Sequence, residues 1–119
     1  MARFRAPGVY DSSKYAAGAV VWTLGIPDHH GNTKDRPIVL LAPEENDWVG
    51  VAISTVEPDK DELTFCVEML WAQDGHHKTG MDRKCWAICP WKVKASQNQL
   101  RGRMGFVPSS HLKRILALA

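Results

Sequence analysis

Cysteine is scarce in this chain and carries no pattern. There are three, and Cys85 and Cys89 stand four apart, a spacing that is neither Cys-x-x-Cys nor part of a four-ligand zinc site. An odd, unpatterned set argues against a disulfide framework and for a reduced, cytoplasmic protein. No other Cys/His spacing argues for a metal, although folding is free to gather His29, His30, His76 and His77. Neither a metal nor another cofactor is expected. Long apolar runs are missing too. No window approaches the roughly 20 residues of a membrane-spanning helix, and no apolar segment follows Arg3 and Arg5, so neither membrane insertion nor a secretory leader is expected. Repeats and low-complexity tracts are absent. The formal net charge of +2 falls well short of the dense Lys/Arg tracts of non-specific nucleic-acid binders.

What is present is uneven charge and a surplus of large rings. Across residues 78–114 the only acid is Asp82, whereas 44–68 is mainly acidic. A basic half suggests an anionic partner; a solvated charged surface is the alternative. Five tryptophans in 119 residues suit a small β-core or an interface.

The length suits one domain, read as an arm over residues 1–17 with a turn at Pro7-Gly8, followed by a single domain over 18–119. Short apolar, β-branched or alternating segments bounded by turn residues predict strands at 19–24, 36–41, 48–55, 63–70 and 85–89. The strand at 85–89 is expected to continue past a bulge at Pro90 to Lys94, and 100–106 adds a last strand. Gly50 marks a bend. From Pro108 a helix is expected with Leu112, Ile115 and Leu116 on one face. The sum is a mainly β fold, five to seven short antiparallel strands in a strongly bent sheet or β-barrel, with a short C-terminal α-helix.

The segment that organises the rest is Arg36-Pro37-Ile38-Val39-Leu40-Leu41. A residue before proline is pushed toward extended backbone, so Arg36 is predicted to sit on a stiff support at the mouth of a buried strand. There it would either meet a phosphate or, as the plainer alternative, cap a sheet edge or pair with Asp35. Ser54 and Thr55 end the next strand, where hydroxyls orient a phosphate or simply form a turn. Trp91, beside Pro90 and just before Lys92 and Lys94, is the tryptophan expected to stack an unpaired base. Lys92, Lys94, Arg101 and Arg103 would draw in the backbone.

In order and spacing these pieces resemble the MazF/PemK (Kid, CcdB-like) family of toxin ribonucleases, which are SH3-like barrels. The similarity runs from Gly18 to the C-terminus. Its carriers are Gly18-Ala19-Val20-Val21-Trp22, the Arg36-Pro37 strand, Val51-Ala52-Ile53-Ser54-Thr55, Thr79-Gly80-Met81-Asp82-Arg83-Lys84-Cys85 and Leu100-Arg101-Gly102-Arg103-Met104-Gly105. The resemblance implies a metal-independent endoribonuclease that cuts single-stranded RNA through its 2′-OH, an antitoxin-like protein partner and a homodimer or higher homo-oligomer. It places Arg36 at the catalytic arginine, Ser54 and Thr55 at the hydroxyl pair in reversed order, and His30 near a loop histidine that helps in some relatives. The chain also departs from the family. Ile88, Pro90 and Trp91 stand where relatives carry an arginine, an acid and a glutamine, and Ala19 replaces an acid. A catalytically inactive barrel that binds protein or nucleic acid is therefore the alternative expectation.

Overall fold

The computed structural model describes residues 15–119; of the arm expected over 1–17, residues 1–14 lie outside the described part. One six-stranded antiparallel sheet forms the body, with strands β1 (Ala19–Pro27), β2 (Thr33–Glu44), β3 (Asp47–Ser54), β4 (Cys66–Glu68), β5 (Trp86–Ala95) and β6 (Leu100–Phe106). Their spatial order is β4-β5-β3-β2-β1-β6. A one-turn helix α1 (Lys60–Leu63) precedes β4, and α2 (Ser109–Leu118) closes the chain. The mainly β expectation with a C-terminal helix holds.

The sheet curls because its ladders are interrupted. Register shifts fall between Thr23 and Ile26 on β1, beside Leu40 and Ala42 on β2, and between Val51 and Ile53 where β3 meets β5. Each extra residue bends the strand that carries it and increases the local twist. Gly50, read from the sequence as a bend, pairs with Leu40 at one of these shifts, and a Cβ there would lie 2.6 Å from the Val39 carbonyl.

The two edge strands β4 and β6 do not pair with each other, so the sheet is open and barrel-like. The loop between β4 and β5 covers the gap. Phe106 N–H donates to the Lys78 carbonyl at 2.7 Å, and a side chain at Gly105 would collide with the backbone of Lys78 and Thr79. His76 Nδ1 caps this loop by accepting the amide of Lys78 at 3.1 Å.

The unbroken Ile38-Val39-Leu40 run is fully buried because the curled sheet is covered on both faces. Val39 packs with Val20, Val51, Ile53 and the helix residue Ile115, while Ile38 and Leu40 pack with Val21, Ile26 and Leu100. Burying an isoleucine such as Ile115, 0% exposed, contributes about 1.5–3 kcal/mol. Leu112 and Leu118 join Ile115 against the core, but Leu116, expected on that face, is exposed.

The strand expected over 63–70 is only Cys66–Glu68. Asp59 and the acids Asp61 and Glu62 favour a helical start, and Leu63 N–H donates to the Asp59 carbonyl at 2.8 Å. Leu63 and Phe65 consequently sit outside the core, 43% and 50% exposed.

Candidate functional site

Arg36 stands near the start of β2, opposite Thr23 of β1. It lies two residues beyond the last β2–β3 pair, Ile38 and Ala52, and Ser54 lies two residues beyond it on the other strand. Both are therefore at one end of that ladder. Pro37 and the buried run behind it fix the backbone, and the half-buried side chain lies with its Cζ 4.5 Å from the centre of the Trp91 ring. Its Nε has no hydrogen-bond partner among the described residues. Pairing with Asp35 does not occur; that carboxylate accepts the Gly25 N–H at 2.9 Å. Burial pushes the Arg36 guanidinium below its ordinary value and the charge of Asp28 opposes this, but an arginine remains a cation at any physiological pH.

Two concave surfaces meet here. A recess of about 190 Å³ is lined by Arg36, Lys34, Arg83 and Asp35 with Trp22 and Thr55. A larger groove of about 800 Å³ holds Asp28, His29, Ser54, Trp91 and Lys92 against an apolar wall that includes Phe65, Ile88 and Pro90. Glu57, Asp59 and Glu62 line the same groove. The consecutive hydroxyls of Ser54 and Thr55 thus face different cavities. Ser54 Oγ accepts the Val56 N–H at 3.1 Å, which makes it a turn former while leaving its own O–H free to donate.

The loop joining β1 to β2 is held by Asp28, whose carboxylate accepts the amides of His30 at 2.8 Å and Asn32 at 3.0 Å. Burial works to raise that carboxyl, but these hydrogen bonds and the charges of His30 and His29 outweigh it and hold the group below its ordinary 3.8. The two imidazoles lie 4.0 Å apart, and it is His29 that lines the groove. His30 is exposed beside it.

Of the residues singled out in the sequence, Arg36 and Thr55 line the recess, Ser54, Trp91 and Lys92 line the groove, and the contact of Arg36 with the Trp91 ring joins the two; His30, on the adjoining loop, lines neither. Lys94 lies elsewhere, bound to Glu44 at 3.1 Å and 4.0 Å from Asp47. Arg101 and Arg103 are exposed on β6 and line neither cavity; Arg103 packs 4.6 Å over the Phe106 ring. Lys34 and Arg83 were missed. Lys34 was legible, since it shares a strand face with Arg36 two residues on. Arg83 was not, because it arrives from the loop before β5.

Among the described residues no group of three or more His, Cys, Asp or Glu is arranged to hold a metal ion. His76 and His77 stack on each other in the β4–β5 loop, 4.5 Å between ring centres. The cysteines are buried and unbridged, and desolvation pushes the Cys85 thiol up to about 12 and the Cys89 thiol to about 11. Both are inert core residues at neutral pH.

No protein-family model matches the chain, and no curated protein matches it. Solved structures do match. An endoribonuclease from a mycobacterial species superposes with a TM-score of 0.60 at 12% identity, covering 87% of this chain and 86% of that one. A mycobacterial endoribonuclease in complex with its cognate antitoxin gives a TM-score of 0.62 at 14% identity, over 87% and 89% of the two chains. A MazE–MazF complex from Deinococcus radiodurans gives 0.58 at 14% identity over the same shares. At such identities the likeness is one of fold, and the fold is that of these endoribonucleases.

Proposed function

We propose that the chain is a toxin-like endoribonuclease of the MazF/PemK type, a single domain over residues 18–119 that cuts single-stranded RNA without a metal. The observation that carries this reading is Arg36, a half-buried cation whose Nε is buried without a hydrogen-bond partner among the described residues, lining a recess with Lys34, Arg83 and Thr55, where Asp35 is the single acid. Such a recess is shaped for a phosphate. The planar guanidinium gives two donors to two phosphoryl oxygens, and its charge meets the negative charge that grows there in the transition state.

In the reaction the ribose 2′-OH loses its proton and its oxygen bonds to phosphorus. The 5′ oxygen then leaves with a proton, giving a 2′,3′-cyclic phosphate. Thr55, which shares the recess with Arg36, orients a phosphoryl oxygen, and Ser54 offers its O–H to the RNA that continues into the adjoining groove. Because Ile88, Pro90 and Trp91 occupy the positions where relatives carry an arginine, an acid and a glutamine, the proton passes to and from the imidazoles of the β1–β2 loop, His30 or its neighbour His29. Lys92 attracts the incoming backbone, and Arg101 and Arg103 extend that attraction along the edge strand. The protein acts in the cytoplasm as a homodimer or higher homo-oligomer, held in check by an antitoxin-like partner. The fold shared with an endoribonuclease solved with its cognate antitoxin supports that assembly.

The test is cleavage of single-stranded RNA by the purified chain. Fragments ending in 2′,3′-cyclic phosphate are expected, absent when the cleaved nucleotide is 2′-deoxy and reduced about 10²–10³-fold or more by Arg36→Ala. Intact RNA after incubation with the unaltered chain overturns the reading and leaves a binding module.

A further inference from the structure

Trp91 was expected to stack a base, but its ring already has other duties. Two segments far from it in sequence meet on it. The Arg36 guanidinium lies over its face at 4.5 Å, and its indole N–H donates to the Pro27 carbonyl at 3.0 Å. Pro27 ends β1 and leads directly into the loop that Asp28 holds together, the loop carrying His29 and His30. The ring itself sits where β5 bulges past Pro90: β3 Val51 pairs with Lys92, and Ile53, two residues on, pairs with Ala87.

Among the described residues Arg36 has no ion pair, and a long, rotatable side chain then has nothing polar to aim it. Here the aim comes from a flat apolar surface, which fixes the guanidinium plane and leaves its terminal N–H groups, though not the buried Nε–H, for an anion. A carboxylate partner would have fixed it and neutralised it together.

We propose that Trp91 is the positioning residue of this site, holding Arg36 and the His29–His30 loop in one geometry through its ring face and its indole N–H. The proposal rests on reading Arg36 as the phosphate-binding group. It assigns Trp91 no contact with a base. The indole acts on the reaction through Arg36 and the loop, so its loss misplaces charge and lowers turnover more than it weakens substrate binding.

The first readout needs no activity and no variant. In the unaltered protein the Arg36 Nε–H resonance should lie upfield of the exposed arginines, shielded by the indole ring. Trp91→Phe should keep that shielding, and Trp91→Leu should remove it. An unshielded Arg36 in the unaltered protein overturns the proposal, whether or not either variant folds. On single-stranded RNA, Trp91→Leu is expected to lower kcat about 10–100-fold with KM changed less than about 3-fold, and Trp91→Phe to recover much of the loss. A raised KM with kcat unchanged would make Trp91 a base platform and overturn the proposal. If the unaltered chain cuts no RNA, the nuclease reading fails separately, and inorganic phosphate decides here. Weaker phosphate binding by Trp91→Leu than by Trp91→Phe supports positioning; equal binding by both variants overturns it.

Discussion

Two cations stand at opposite ends of the same sheet and differ in everything but charge. Lys94, on β5 beside the β2–β3 turn, is exposed and bonded to Glu44 at 3.1 Å, with Asp47 at 4.0 Å. The hydrogen bond to Glu44 and the two carboxylate charges raise its ammonium above the ordinary 10.5. Arg36, at the start of β2, is half-buried against Trp91, has an unpartnered Nε and is lowered by burial. One cation is satisfied and solvated, the arrangement of an ordinary surface pair. The other is kept charged, oriented and unsatisfied in a concave place, which is the arrangement that binds an anion. Position on a strand does not separate them, but partners do.

The contrast is tested most severely by reversing each charge. Arg36→Glu should reduce RNA cleavage by about 10³-fold or more, whereas Lys94→Glu should change it less than about 3-fold, measured on one substrate at one salt concentration. Comparable losses would erase the distinction. A subtler change, Arg36→Lys, keeps the charge and removes the fork; kcat is expected to fall about 10–100-fold, and full activity would mean that a point charge suffices.

The loop next to Arg36 offers a third handle. Asp28→Ala should speed amide exchange of His30 and Asn32 by about tenfold, because their hydrogen-bond acceptor is gone. The Asp28 carboxyl lies below its ordinary 3.8 in the folded protein, so its support is fully present above that value and is lost as pH falls through the lowered one. Protection of these two amides, measured against their intrinsic exchange rates at each pH, should therefore be lost only below the ordinary carboxylate range. The smallest effect belongs to the other end of the sheet. Glu44→Gln should bring the Lys94 titration back toward 10.5, followed by NMR of its side chain. The melting temperature should move less than about 2 °C, as befits an exposed pair.

Strand β6 and the continuation of β5 past Pro90, expected to Lys94 and found to Ala95, were legible because alternation, β-branching and proline act over a few residues. The β4 prediction failed at its start for an equally local reason. The alternation of Leu63, Phe65, Val67 and Met69 competed with a helical turn nucleated by Asp59, Asp61 and Glu62, and the turn won over the first part. Around the candidate site, the places of Arg36 near the start of β2 and of the hydroxyl pair at the end of β3 were legible. The two fates of Lys92 and Lys94 were not: they stand on one strand, yet one lines the groove and the other binds Glu44.

By itself the sequence determined which segments extend and that a proline-stiffened arginine stands near the start of β2, since these depend on backbone sterics and side-chain period. Tertiary structure alone decided that the β4–β5 loop would seal the open sheet, that Trp91 would lie under Arg36 and that His29 rather than His30 would line the groove. Those outcomes depend on register and curvature across strands distant in sequence, and a shift of one residue in either would send each side chain to the opposite face.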